Sequence, residues 1–455
     1  MALAMHSLAR VPRVSVIGVY LPVVIGSVVL GISPMGGRAD PAVDVRPLFT
    51  DPLKLARWLA GRDPQVAAAR ARAEAAIAAS HQAGVHPNPQ LSASLGGLVV
   101  GATNPSAPRL GLDQTTNVTA GVSQLFELGK RGPRQQAARL RADEAAVQAT
   151  ATLGARVGEA MATLGKLAYV TSRRAAVAAN LETARALLAL EKVRHDHADL
   201  SGAEFSRIEL DTQAIELQLG RADADVATAA AVCSAVLHAP CSTDGIAEPT
   251  ALDAAAPLPE PVPDDDAIAH RSAREVSRLE IAALGADALL ARRRAVPDPT
   301  IGVSYTYDNL VVAGNQQQTV MLSLSLPLPI FDRGDHDATA LAATARADAA
   351  DDRAVVDIAR GEVVALRAQR ATLATTLTRL EGEAVPKSAL IVQQTRRSFD
   401  LGQAGLADLL LAERAHRELL LEVLDTRFDL FNVRAQLRQA LGLDDQAART
   451  AEASS

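Results

Sequence analysis

The sequence predicts a mainly α-helical chain with two long helical hairpins and four β-strands that form part of a membrane β-barrel. Three observations carry that prediction. The chain repeats itself, each repeat holds two segments of period-two hydrophobicity, and each then runs into helix far too long for one globular core. Four strands cannot close a membrane barrel, whose smallest size is about eight, whereas three copies supply twelve. The expected fold is a helical-hairpin α-barrel with four β-strands per chain, completed as a 12-stranded barrel in a trimer.

Composition agrees. Of 455 residues, 48% are hydrophobic but only 3% aromatic. Much of the apolar share is alanine, which suits long helices packed side by side better than a thick core. A net charge of −6 leaves no nucleic-acid footprint.

The repeat is visible in three blocks. HPNPQLSASLGG (86–97) resembles VPDPTIGVSYTY (296–307), with Pro89 matching Pro299. VSQLFELGKRGPRQQAARLRADEAA (122–146) resembles LPLPIFDRGDHDATALAATARADAA (326–350), with Phe126 matching Phe331. HDHADLSGAEFSRIELD (195–211) resembles FDLGQAGLADLLLAERA (399–415), aligning Glu204 with Asp408 and Glu209 with Glu413. The order is kept while the offset drifts, as in a duplication with small insertions.

The resulting plan has a signal peptide at 1–39 and an N-terminal segment at 40–63. The first repeat, 64–238, has a helix, strands at about 90–101 and 116–125, and a helical hairpin at 133–238. A Pro/Ala-rich linker at 239–265 follows. The second repeat, 266–443, has a helix, strands at about 299–308 and 318–327, and a hairpin at 335–442. A disordered tail is expected at 444–455.

The signal reading rests on His6, Arg10 and Arg13 ahead of the apolar run Val14 to Ile32, with Gly37 and Ala39 before Asp40. A retained membrane anchor competes, since the run is long enough to span. In the strands, Ile301, Val303, Tyr305 and Tyr307 alternate with Gly302, Ser304 and Thr306. Val320, Leu322, Leu324 and Leu326 alternate with Met321, Ser323 and Ser325, and Val118, Ala120 and Val122 with Thr119, Gly121 and Ser123. Such a period puts one apolar and one polar face on a sheet. Alone, it fits a half-buried hairpin equally well. The helices decide: from Pro133 to Asp199 is about 100 Å at the helical rise, so these helices need neighbours of the same length. Pro133 fits a first helical turn, Asp335 serves as a capping residue, and Pro386 is expected to kink or break the second long helix. Gly402 and Gly405 allow that helix to reverse within a few residues into a rigid finger with a defined tip.

With these features the chain resembles the TolC-like outer-membrane efflux family, from about Leu53 to Leu443. The double strand–helix junctions and the FDLGQAGLADLLLAERA turn carry the resemblance. It implies a homotrimer with a shared barrel in outer-membrane lipid and a helical tunnel in the periplasm. It also implies a passive export conduit served by a periplasmic adaptor (membrane fusion) protein and an inner-membrane resistance–nodulation–division pump. FELGKRGPR (126–134) is similar to the junction of the cobalt–zinc–cadmium branch, short of one glycine, which implies heavy-metal cations as cargo. Drug and type I protein-secretion conduits are the alternatives. The resemblance further implies an adaptor-contact tip of Leu401, Gly402 and Gln403 with Leu200, Ser201 and Gly202, and a periplasmic gate at Asp408 and Glu204. Some members carry a second acidic residue three positions on, where this chain has Leu411, so a single carboxylate ring is expected. Tyr305 and Tyr307 are the only aromatics expected in the membrane girdle.

No nucleophile elbow, phosphate loop or zinc-ligand spacing is present, so no catalytic residue, metal site or cofactor is expected. His195, Asp196, His197 and Asp199 could take a soft cation, but residues two apart on a helix face apart, and a solvated tip is the better reading. Asp332, Asp335, His336 and Asp337 read as helix-start residues that suit the macrodipole. Arg414 and Glu413 are candidates for an interhelix latch or a surface pair. Cys233 and Cys241 either close a small disulfide, as an oxidising compartment allows, or stay as two thiols. Two other classes compete. A periplasmic adaptor would carry one hairpin flanked by β domains, and a coiled-coil scaffold would lack the alternating strands.

Overall fold

The computed structural model describes residues 43–98, 112–248, 250–259, 268, 271–309 and 316–454. The expected signal segment, and 249 and 260–265 of the expected linker, lie outside these residues. Among the described residues no helix is long and apolar enough to cross a membrane.

The chain opens with α1 (Arg46–Thr50), α2 (Pro52–Arg62) and α3 (Pro64–Ala83). Aspartates divide this run. Asp51 accepts from the Leu53 and Lys54 amides, and Asp63 from those of Gln65 and Val66, with a proline directly after each. The carboxylate takes the orphan amides, and proline has no N–H to lose at that position. There follow β1 (Gln90–Gly96), the turn α4 (Leu112–Thr115), β2 (Asn117–Leu125), α5 (Arg131–Asp196) and α6 (Gly202–Leu237). Beyond α7 (Ala251–Ala254) the plan recurs as α8 (Ser272–Arg292), β3 (Thr300–Asp308), β4 (Gln318–Ser325) and α9 (Asp335–Arg379). A π-helical turn, Leu380–Ala384, leads into α10 (Val385–Asp400), then α11 (Leu406–Ala440) and α12 (Leu443–Ala453).

The main core lies midway along the long helices. Phe49, Leu55, Leu59, Met161, Leu164, Leu237, Leu252 and Phe431 are buried there together. Gly165 admits the Phe431 ring, since a Cβ at Gly165 would lie 2.0 Å from Cε1. A buried ion pair joins Arg156 Nε to Asp63 Oδ2 at 2.6 Å. Burial raises the Asp63 carboxyl, but hydrogen bonds from Arg156 and the Gln65 and Val66 amides outweigh it and hold it below its ordinary value. At the end of α6, a disulfide joins Cys233 to Cys241.

Several expectations need correction. Over 444–454 the expected disordered tail is instead ordered, because α12 packs on α2 and α5 with Ala448 and Ala451 buried. Gly442, at φ +68, ends α11 and redirects the chain. Asp445 then accepts from the Ser272 amide at 2.9 Å, tying α12 to the start of the second repeat. The linker is likewise not a free tether, since Ile246, Leu252, Ala255 and Ala256 are buried in the core. The first strand ends at Gly96 rather than 101: Gly97 takes φ +72, and 99–101 lie outside the described residues. Asp335 is the first helical residue, not the cap. Gly334, at φ +75, holds that place, and Asp332 accepts its amide at 2.8 Å. Pro386 does not break its helix. The chain stays helical through it, with a π turn at Leu380–Ala384 directly ahead.

Candidate functional site

The first region is the sheet. Its four strands are antiparallel in the order β1-β2-β3-β4. The register lines up Leu91, Val122, Val303 and Leu322, and beside them Ala93, Ala120, Tyr305 and Val320. Rows on the opposite face hold Ser92, Gly121, Ser304 and Met321, then Ser94, Thr119, Thr306 and Thr319. Apart from Leu125 and Met321, every strand therefore turns its apolar residues the same way. Among the described residues no layer covers them: Leu91 is 81% exposed and Leu322 75%. The nine residues of β3 span about 30 Å along the strand, or about 23 Å across a membrane at a barrel strand's tilt of roughly 40°, close to an apolar band of about 25 Å. Both edges, β1 and β4, are open.

Below the sheet each repeat adds an apolar foot. Phe126 and Leu128 after β2, and Leu328, Ile330 and Phe331 after β4, are all exposed. Phe126 and Phe331 are exposed aromatics just beyond the strands, where the alternation of the strands did not point. Their signal was an apolar residue just outside an alternating strand.

The charged residues of FELGKRGPR hold the junction together. Lys130 Nζ lies 2.7 Å from Asp298 Oδ2, and the Leu128 amide donates to Asp298 Oδ1 at 2.9 Å. Arg131 and Arg134 donate to the carbonyls of Gly84 and Ala83, and Arg134 also pairs with Glu127. These side chains bind α5 to the end of α3 and to the Pro-Asp-Pro segment ahead of β3.

The second region is the pair of hairpin tips. At the first, Ala198 takes φ +64, and the Asp199 amide donates to the Arg194 carbonyl at 2.8 Å. At the second, Gly402 takes φ +71, and the Gln403 amide donates to the Ser398 carbonyl at 2.7 Å. Ala198 and Gly402 occupy matching positions in the duplicated turn, so both repeats reverse by the same backbone device. Ser201 caps α6: its hydroxyl accepts the Glu204 amide, and Glu204 Oε2 accepts the Ser201 amide and hydroxyl. Those bonds hold the Glu204 carboxyl below its ordinary value, the Ser201 hydroxyl first and its amide second. Asp408 makes the reciprocal half of the same motif, with Oδ2 accepting the Gly405 amide at 3.2 Å.

The tips share one small core of Leu187, Leu200, Ile208, Phe399, Leu406 and Leu409. Among the expected contact residues, Leu401 is 72% exposed, and Gly402, Gln403, Ser201 and Gly202 are exposed. Leu200 is a correction: it is buried beneath the turn and offers no surface to a partner. His195 stacks on Phe205 at 4.8 Å, with Nδ1 3.1 Å from the Leu200 carbonyl. It therefore serves the turn, and no group of three or more metal-ligating side chains occurs among the described residues.

The interhelix contacts lie a few turns higher. Arg417 of α11 donates to both carboxylate oxygens of Asp211 of α6, at 3.1 and 3.2 Å. Glu413 is buried, 3.9 Å from both Arg396 and Arg417. Burial raises its carboxyl above the ordinary value despite the two arginines. Arg414 pairs instead with Glu418 on the same exposed helix face. Higher still, the Tyr169 hydroxyl donates to Asp425 at 2.6 Å and Arg173 to the same oxygen at 2.8 Å. Burial, then Asp425, push that phenol up to about 12. Neither Arg417–Asp211 nor this triad was legible, because each joins helices more than 200 residues apart in sequence.

The family model described as outer membrane efflux protein matches residues 265–443, the second repeat. No curated protein matches the chain. Among solved structures, the chain is similar to the outer membrane protein VceC from Vibrio cholerae, with 17% identity over 86% of this chain and 96% of that one and a TM-score of 0.68. It is similar to CusC at 14% identity over 88% and 95%, with a TM-score of 0.72. The open-state MtrE outer membrane channel of Neisseria gonorrhoeae has 16% identity over 87% and 89%, with a TM-score of 0.67. The fold is the one these proteins share, mainly helical with a few antiparallel strands.

Proposed function

We propose that three copies of this chain form an outer-membrane efflux channel, with the barrel in the membrane and the helical part in the periplasm. The observation that carries the proposal is the sheet. Among the described residues it has one apolar face, an opposite face that is polar but for Leu125 and Met321, no covering layer and two open edges. A sheet of that kind is stable between lipid and water when other copies close it. The long helices then continue the lumen toward the cell interior. The channel is a passive conduit, and an inner-membrane pump of the resistance–nodulation–division type supplies energy through a periplasmic adaptor. Leu401, Gly402, Gln403, Ser201 and Gly202 are the surface for that adaptor.

Heavy-metal cations are the proposed cargo. The support is the FELGKRGPR junction and the exposed Asp408, which three-fold symmetry would make a ring of like charges that attracts cations. Glu204 would add a second, peripheral carboxylate. The mature chain should fractionate with the outer membrane and run as a trimer in mild detergent. A soluble, monodisperse monomer sinks the channel reading. Deleting the gene should sensitise its host to zinc, cobalt or cadmium; sensitisation to hydrophobic drugs alone would move the cargo to that class.

A further inference from the structure

We propose that Cys233 and Cys241 form a redox clasp. A disulfide-bearing thiol oxidant, entering at Cys241, fixes the loop that holds the N-terminal segment, and reduction loosens that segment while the helical hairpins stay folded. The clasp goes beyond the channel reading and depends on neither the cargo nor the number of copies. It begins where α6 stops. His238 takes φ +53, and the Ala239 amide returns to the Ser234 carbonyl at 3.2 Å. A left-handed backbone is unfavourable for a residue that carries a side chain. Past the turn, the Cys241 amide donates to Ser234 Oγ at 3.1 Å, and its sulfur bonds to Cys233, eight positions back in α6. The covalent ring removes the alternatives that a loop with an unfavourable turn would otherwise sample.

The same loop holds the start of the described chain, through groups between Leu237 and Ser242. Trp58 Nε1 donates to the Leu237 carbonyl at 3.0 Å. His238 Nε2 lies 3.6 Å from Asp63 Oδ2. The Val43 amide donates to the Pro240 carbonyl at 2.8 Å, and the Ser242 amide to the Val43 carbonyl at 3.1 Å. Val43 and Cys241 are thereby partners in a parallel bridge. All but the His238 contact use backbone groups of the loop, whose directions are set by the turn, so opening the turn loses them together. The far end of the segment has a separate hold. Asp63 pairs with Arg156 of α5 without help from the loop. Loosening therefore stops near Asp63, and α3 and α5 keep their places.

The two sulfurs are not equally open. Cys233 has no exposed surface, whereas Cys241 is half-buried. An oxidant therefore meets the reduced pair at Cys241. The Cys241 thiol loses its proton, its thiolate attacks one sulfur of the oxidant's disulfide, and the other oxidant sulfur leaves as a thiolate. Cys233, deprotonated in turn, attacks the Cys241 sulfur and expels the second oxidant thiolate. Two electrons and two protons pass from the cysteines to the oxidant, which ends as a pair of thiols. Disulfides persist where the compartment is oxidising, and such a compartment supplies an oxidant of this class.

The test uses the full-length chain in mild detergent, with oxidised glutathione as the oxidant. Cys233→Ser should take up one glutathione per chain by intact mass, and Cys241→Ser at least about tenfold less in the same time. Equal uptake, or more by Cys241→Ser, would overturn entry at Cys241. Trp58 is the only tryptophan, so its emission reports the clasp. Reducing the native chain should shift that emission to the red and speed protease cleavage ahead of α3 at least about tenfold. Reoxidation should reverse both, with cleavage at the hairpin tips unchanged throughout. The double variant Cys233→Ser with Cys241→Ser should match the reduced chain without reductant; should it not accumulate, the reduced native chain carries the test. Emission and cleavage that ignore reduction would overturn the clasp. So would cleavage that rises equally at the tips, because the disulfide would then hold the whole fold. Particles that run as monomers yet respond to reduction would bring down the channel reading and leave the clasp standing.

Discussion

The two repeats share a plan and differ in what surrounds them. In the first, α5 buries residues along nearly its whole length, from Ala137 through Leu164 to Glu191. In the second, the run of α9 and α10, also starting just below the sheet and ending at a tip, buries only Ala338, Ala359, Val363, Leu366, Ser388 and Phe399. Val355, Ile358 and Val364 on α9 remain more than half exposed. The difference is one of neighbours. α5 lies among α3, α6, α8, α11 and α12 of its own chain, whereas α9 has α8 and α11. In the proposed channel, other copies would supply the neighbours that a helix of this length left so bare lacks in its own chain.

The largest effect that would break this comparison is electrostatic. Arg156→Ala leaves Asp63, which has no exposed side-chain surface, without its charge partner. Losing one member of a buried pair costs about 3–5 kcal/mol. In the matching stretch of α9, Arg360 pairs with Asp357 on an exposed surface, and Arg360→Ala should cost at most about 0.5 kcal/mol. Thermal melts of the two variants in detergent measure both, and equal losses would mean the repeats are not differently buried.

A smaller effect separates the tips. Ala198 holds a left-handed backbone that Gly402 holds without a side-chain penalty. Ala198→Gly should therefore stabilise the first tip by up to about 1 kcal/mol, and Gly402→Ala should destabilise the second by a similar amount. Two shifts of the same sign in a melt, or in protease cleavage at the tips, would show that the turns differ.

The smallest effect is in pH dependence, where Glu204 of α6 and Glu413 of α11 have opposite signs. Glu204 has a lowered carboxyl value in the fold. Its contribution is present at neutral pH and is lost as pH falls below the ordinary 4.5 through that lower value. Glu413 has a raised value. Its contribution is present below 4.5 and is lost as pH rises through the raised value. Glu413→Gln should thus raise Tm at pH 7 and lose that advantage in acid, while Glu204→Gln should lower Tm at pH 7 and cease to matter well below 4.5. A Glu413→Gln variant that melts lower at pH 7 would show that Arg396 and Arg417 outweigh burial.

What was legible in the sequence was local and periodic. Strand phase follows from alternation, since side chains change face at every residue, and all four strands keep the phase that Leu322, Val303 and Val122 indicated. The tips were legible because Gly402 and Gly405 let a helix reverse and 195–211 resembles 399–415; that Ala198 takes the left-handed backbone at the first tip was not. Strand ends were less so: Gly97 and Pro327 cut β1 and β4 short of where the alternation pointed. The helix α12 was missed because its buried face is mostly alanine and its other residues are polar. Leu443, Ala448 and Ala451 after a left-handed Gly442 were the available signal.

The sequence by itself determined the duplication, the four amphipathic strands and the two reversing hairpins, because each is written in spacing or residue type within a short window. Only the tertiary structure decided that Leu200 lies beneath the tip rather than on it, and that Glu413 is buried while its repeat equivalent Glu209 is exposed. It alone decided that Arg156 completes Asp63 from 93 residues away. Burial and charge pairing depend on which distant helix arrives alongside, and a repeat copied in sequence carries no record of the neighbours each copy receives.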